Sequence, residues 1–122
     1  MTPAPDRILI RRFAGLAALA LMAVIAVLSL LPQQDLPPVG GSDKWKHFVA
    51  YAALAVPVAV RAGRGRAWQA WAFTGGYGFL IEVAQALSPT GREFSLADEG
   101  ANLLGAALGT LAVLALRRIR NS

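Results

Sequence analysis

Cysteine is absent from the 122 residues, and histidine occurs once. With no thiol there is neither a disulfide framework nor a thiolate metal site; a single imidazole cannot build a multi-histidine centre, and His47 with Glu82 and Asp98 is a weak metal candidate on spacing alone. On that basis no metal and no cofactor is expected. Charge is scarce as well: 16% of residues are charged, where soluble domains carry about 25%. Acids are the rarer sign, 7 against 12 Lys and Arg. The phosphate-binding Gly-rich loop, the His-Glu-x-x-His zinc motif and the Gly-x-Ser-x-Gly nucleophile elbow are all missing. No recognised catalytic motif is left, and the chain stays open between enzyme and non-enzyme.

What abounds is apolar surface: 56% of residues are hydrophobic and the mean hydropathy is +0.49. A soluble domain of this size buries too little of its surface to hide that excess, so lipid is the solvent that suits it. Phe13 to Leu31 contains no charged residue and matches the roughly 20 residues that cross a bilayer. It ends in Leu30-Leu31-Pro32-Gln33 rather than in small residues, so it reads as a retained helix and not as a cleaved secretory signal. Pro37-Pro38 and Gly40-Gly41 break the chain. A second span runs from His47 to Val60, capped near Ser42 or Asp43. A third covers Ala67 to Leu87, and a fourth covers Leu103 to Leu116, starting a turn or more earlier near Ala97 to Asn102. The expected fold is all-α, a four-helix transmembrane bundle. Residues 1–12 are read as a cytoplasmic tail and 13–122 as one membrane domain.

The net charge of +5 raises the question of nucleic acid, and the placement of the cations answers it. Arg7, Arg11, Arg12, Arg61, Arg64, Arg66, Arg117, Arg118 and Arg120 all fall on one side of a four-span arrangement. Lys44, Lys46 and Arg92 fall on the other. The positive-inside rule then predicts both termini in the cytoplasm, with anionic headgroups as the partners of the basic side. No nucleic-acid partner is needed. The expected location is the bacterial inner (cytoplasmic) membrane, multi-pass.

Orientation gives the remaining polar residues a depth. Asp43, Lys44 and His47 sit where the second helix enters from outside. Glu82 lies roughly 9 Å of helix below the outer turn at Ser88, with Gln85 nearer. Arg92 and Asp98 belong to the outer loop, and Asn102 opens the fourth helix. An ionisable group in a span costs about 2.5–3.5 kcal/mol at the helix centre on insertion scales, so Glu82 is expected to face the bundle interior or a wet cavity. Gly75 and Gly78 share its face, and Gly105 and Gly109 form a G-x-x-x-G. Such residues let backbones approach, which predicts close packing of the third and fourth helices. Each polar residue also has a plainer reading. Glu82 and Asn102 can serve as interhelical glue, Asp98 or Ser95 as a helix cap, and the lysines and Arg92 as headgroup anchors.

The set Asp43-Lys44-x-x-His47, Tyr51, Gly78-x-x-x-Glu82-x-x-Gln85 and Arg92-x-x-Ser95-x-x-Asp98-x-x-x-Asn102-x-x-Gly105 resembles the VanZ-like family. That family comprises small bacterial membrane proteins, and takes its name from a protein linked to low-level teicoplanin resistance. The likeness runs from about Asp43 to Gly109. The Pro-Gly-Arg usual before the serine appears here as Pro89-Thr90-Gly91-Arg92, one residue longer. The resemblance implies a cell-envelope role, without an established reaction.

Three functions compete. In the first, Asp43, Lys44, His47, Glu82, Gln85, Arg92, Asp98 and Asn102 form an outer-face cluster. It would take an anionic envelope ligand, such as a lipid-linked phosphate or a peptide carboxylate, with Arg92 able to bind it bidentately. In the second, the glycine faces and polar glue serve assembly with a partner protein. The third is a small proton-coupled exporter, which the position of Glu82 away from the midplane disfavours.

Overall fold

In a computed structural model, residues 5–31, 43–89 and 93–120 are described. Among them are four helices and no strand: α1 (Pro5–Leu30), α2 (Asp43–Ala62), α3 (Ala67–Leu87) and α4 (Leu96–Arg120). The fold is all-α, as the apolar runs predict. The bounds of α3 coincide with the expected span. α1 begins well before the apolar run opens at Phe13, so Arg7, Arg11 and Arg12 lie within the helix. Arginine is a good helix former, and nothing between Asp6 and Phe13 breaks the helix.

The α2–α3 turn is tight because Gly63 and Gly65 take φ of +90° and +77°, values that side chains with a Cβ rarely adopt. α4 starts at a Ser95 cap, whose hydroxyl accepts the Asp98 N–H at 3.1 Å, satisfying one of the helix's orphan donors. Of the two cap candidates, Ser95 fills the role.

The most extensive interface joins α2 to α4, and a close approach of backbones makes it. A Cβ on Gly105 would run into the Phe48 carbonyl of α2, and one on Gly109 into the Ala52 carbonyl one turn on. The G-x-x-x-G of α4 therefore opens onto α2, and not onto α3 as its shared composition with the α3 stripe suggests. Gly75 and Gly78 do face α4, through Leu103 and Asn102. α1 leans on α2, touches α3 more lightly and, among the described residues, does not meet α4.

The interior joins an apolar core, with Tyr51, Leu54 and Val113, to buried polar groups, and much of the outer surface is apolar. Thr74, Glu82, Gln85, Asn102 and Thr110 are buried, while Phe13, Leu16, Leu19, Leu80, Leu104 and Leu111 are exposed. α1 and α4 are long and apolar enough to cross a membrane. α2 and α3 fall short of that measure: charge crowds the first turn of α2, and Gln, Thr, Gly and Glu dilute α3.

Candidate functional site

The two ends of the bundle differ in chemistry. At one end Arg11 donates from Nε and a terminal nitrogen to the Arg61 carbonyl at 3.1 and 3.0 Å. Arg117 donates to the Ala59 carbonyl at 3.2 Å. The start of α1, the end of α2 and the end of α4 are thus tied together by cations serving as C-terminal caps. His47 and Arg61 lie about 21 Å apart along α2 by helix rise, so the other end belongs to His47.

There the start of α2, the end of α3 and the start of α4 meet. His47 Nδ1 lies 3.0 Å from Asn102 Oδ1. Its Nε2 is 3.9 Å from Glu82 Oε1 and 3.6 Å from Asp98 Oδ2. Glu82, 1% exposed, accepts the Ser95 backbone N–H on its other oxygen at 3.2 Å. Asn102 donates from Nδ2 to Glu99 Oε1 at 3.1 Å. The Tyr51 ring stacks on the imidazole with centroids 6.5 Å apart. α1 contributes only backbone: the Ser29 carbonyl accepts from Gln85 Nε2 at 2.9 Å.

Gly78 explains why Asn102 can enter. A Cβ there would sit 2.7 Å from Asn102 Nδ2 and 3.0 Å from a Tyr51 ring carbon, so glycine opens the slot that the amide fills. Gly75 does the same for Leu103.

Of the shortlisted residues, His47, Glu82, Asp98 and Asn102 converge within one constellation. Gln85 is buried beside it but turned to α1. Lys44 and Lys46 are exposed on the first turn of α2. Asp43 opens α2; its side chain and the whole of Arg92 lie outside the described residues. Glu99 and Ser29 were not foreseen from the sequence, and Tyr51 was named there only within the family motif. Glu99 was within reach, since it stands three residues before Asn102 and shares its face. Tyr51 had the same signal, one turn beyond His47 on α2. Ser29 acts through its carbonyl, which no side-chain pattern discloses.

A cavity of about 700 Å³ opens between α1, α2 and α3, with Leu16, Met22 and Phe73 on its walls and Arg12 and Arg61 at its rim. It lies at the arginine end, away from the histidine, and is largely apolar. The convergent polar groups that mark a reactive or recognition site are at the other end. No family model, no curated protein and no solved structure matches the chain.

Proposed function

We propose that the chain is a multi-pass protein of the bacterial cytoplasmic membrane, of the VanZ-like type. In this reading all four helices span the bilayer, both termini are cytoplasmic, and the His47–Glu82–Asp98–Asn102 constellation handles a ligand of the cell envelope at the outer face. One observation carries the proposal: the chain's sole histidine, the most deeply buried acid among the described residues and a second carboxylate converge at the end away from Arg11, Arg61 and Arg117. Burial of such groups is costly, and intramembrane ionisable residues are functional by default.

The membrane half of the reading draws on the apolar outer surface and on the apolar length of α1 and α4. α2 and α3 have 20 and 21 residues, about 30 Å of helix, which equals the thickness of a hydrocarbon core. Their weaker hydropathy fits helices whose polar residues face inward. The VanZ-like half rests on the motif order, since residues far apart in that order meet in one place. A partner-docking module is less well supported, because Gly75, Gly78, Gly105 and Gly109 are all spent on contacts within the chain.

The test is a functional assay of envelope phenotype, glycopeptide susceptibility first, in cells that depend on the gene. Glu82→Gln and His47→Ala are expected to abolish the phenotype at unchanged membrane abundance. Wild-type behaviour of both variants would remove the ligand-handling role.

A further inference from the structure

We infer that His47 Nε2, Glu82 Oε1 and Asp98 Oδ2 bind one divalent transition-metal ion of the zinc type. The site is the cluster described above. Metal binding rests on its geometry alone, and only the link to an envelope ligand rests on the function proposed above.

Asn102 fixes the tautomer of His47. Its Nδ2 lies 3.1 Å from Glu99 Oε1, and a carboxylate accepts only, so the nitrogen end of the amide must face Glu99. The oxygen end therefore faces His47 Nδ1 at 3.0 Å and can only accept. Nδ1 must carry the hydrogen. That leaves Nε2 as the nitrogen directed at two carboxylate oxygens, at 3.9 and 3.6 Å. A lone pair facing two acceptors is repulsive, and a metal ion bound at Nε2 and the two oxygens relieves that repulsion.

A ring N–H bound to a carboxylate closes to about 2.7–3.2 Å, and a turn of the carboxylates would permit that bond too, so zinc titration decides between proton and metal. Around a tetrahedral ion with bonds of about 2.1 Å, ligand atoms stand about 3.4 Å apart. The three donor atoms lie within 4.8 Å of one another, and a modest inward turn of the carboxylates closes the shell.

The supporting contacts are those a metal site requires. A metal-bound imidazole donates its other N–H to a fixed acceptor, as His47 does to Asn102, and Asn102 is itself fixed by Glu99. The second oxygen of Glu82 is held by the Ser95 N–H, and Ser95 also caps the turn that carries Asp98. A second sign is independent of these bonds. The Tyr51 hydroxyl is buried without a hydrogen-bond partner among the described residues, on a ring stacked against His47. Access exists as well: the His47 and Asp98 side chains are 13% and 21% exposed, while that of Glu82 is 1% exposed.

Charge and donor type choose the ion. Two carboxylates, a neutral imidazole and a divalent cation sum to zero, which limits the cost of burial. One nitrogen with two carboxylate oxygens suits zinc or its first-row neighbours and not the soft copper(I) or the all-oxygen shells of magnesium and calcium. Three protein ligands leave one position open. An anionic oxygen of an envelope ligand can occupy it, which removes the repulsion that two bare carboxylates would offer.

The experiment uses the full chain in nanodiscs, stripped with a chelator, then titrated with Zn²⁺ by calorimetry and with Co²⁺ by visible absorption. One ion per chain is expected, with tetrahedral-type Co²⁺ bands. His47→Ala, Glu82→Gln and Asp98→Asn should each weaken binding at least tenfold. Asn102→Ala should lower affinity by about 10–100-fold, the usual effect of losing an outer partner. Arg118→Ala, at a residue exposed at the opposite end of the bundle, should leave it unchanged. Nitrogen-15 spectra of the single histidine should show Nε2, not Nδ1, responding to zinc. Absence of saturable binding to the wild-type chain at micromolar zinc overturns the site, as does wild-type affinity in both His47→Ala and Asp98→Asn. If zinc fails to bind while Glu82→Gln still abolishes the phenotype, the metal site falls and the proposed function stands.

Discussion

Asn102 is fully buried, and both ends of its amide are engaged, one with His47 and the other with Glu99. Replacing it with leucine removes two hydrogen bonds and strands two polar partners, each at about 1–3 kcal/mol. Asn102→Leu is therefore expected to lower the thermal unfolding midpoint in detergent clearly, whereas Lys44→Ala, on an exposed turn, should not move it. Equal midpoints for the two variants would mean that the bonds around His47 contribute little to stability. The depth of these residues is legible in the sequence, because helix rise and the cation bias place His47, Glu82, Asp98 and Asn102 at one level. Their mutual contacts are not. Spacing along one helix says which face a residue occupies, but not which face of another helix comes to meet it. For the same reason His47, Glu82 and Asp98 are only a weak metal candidate on spacing alone. A lone histidine is no metal motif until two carboxylates from other helices arrive beside it.

At the scale of the element, the glycines separate into kinds. Gly105 and Gly109 are pressed against backbone carbonyls of α2, which have nowhere to go. Gly75 is pressed only against the end of the Leu103 side chain, which can turn away, and Gly76 meets nothing within 4 Å. Gly105→Ala should thus cost about 1–3 kcal/mol through overpacking. Gly75→Ala should cost less. Gly76→Ala should be neutral or stabilising by up to about 1 kcal/mol, since alanine is the better helix former. Unfolding midpoints of the three variants in detergent check the order, and a reversal of the first and last would contradict the α2–α4 approach. The helices themselves were readable: a mainly apolar run, interrupted by Glu82 and Gln85 and bounded by Arg66 and by Ser88-Pro89, leaves α3 no other limits. The start of α1 was less so, since Arg7, Arg11 and Arg12 precede the apolar run yet lie within the helix, a conformation arginine favours. The partner of the G-x-x-x-G was not readable at all, because small residues announce a close neighbour without naming it.

For the whole molecule, the proposed orientation predicts a labelling pattern that the absence of cysteine makes simple to read. A single thiol at Leu36 should react with a membrane-impermeant maleimide in intact spheroplasts. One at Arg64 should react only after permeabilisation. The opposite pattern would place the His47 cluster on the cytoplasmic side and remove the envelope ligand from consideration, leaving the metal geometry untouched.

The α2–α4 interface also sets an order of events during synthesis. The helix that fits α2 best is made last, after the whole of α3 has left the ribosome. In a bilayer, helices that insert first and associate later would leave the Phe48–Ala52 ridge of α2 facing lipid until Gly105 and Gly109 arrive. Asp98 and Asn102 arrive with them, so His47 and Glu82 wait in a half-made pocket. The site is completed by the same docking step that closes the bundle, and a chain interrupted before α4 would hold a histidine and an acid with nothing to bring them into register.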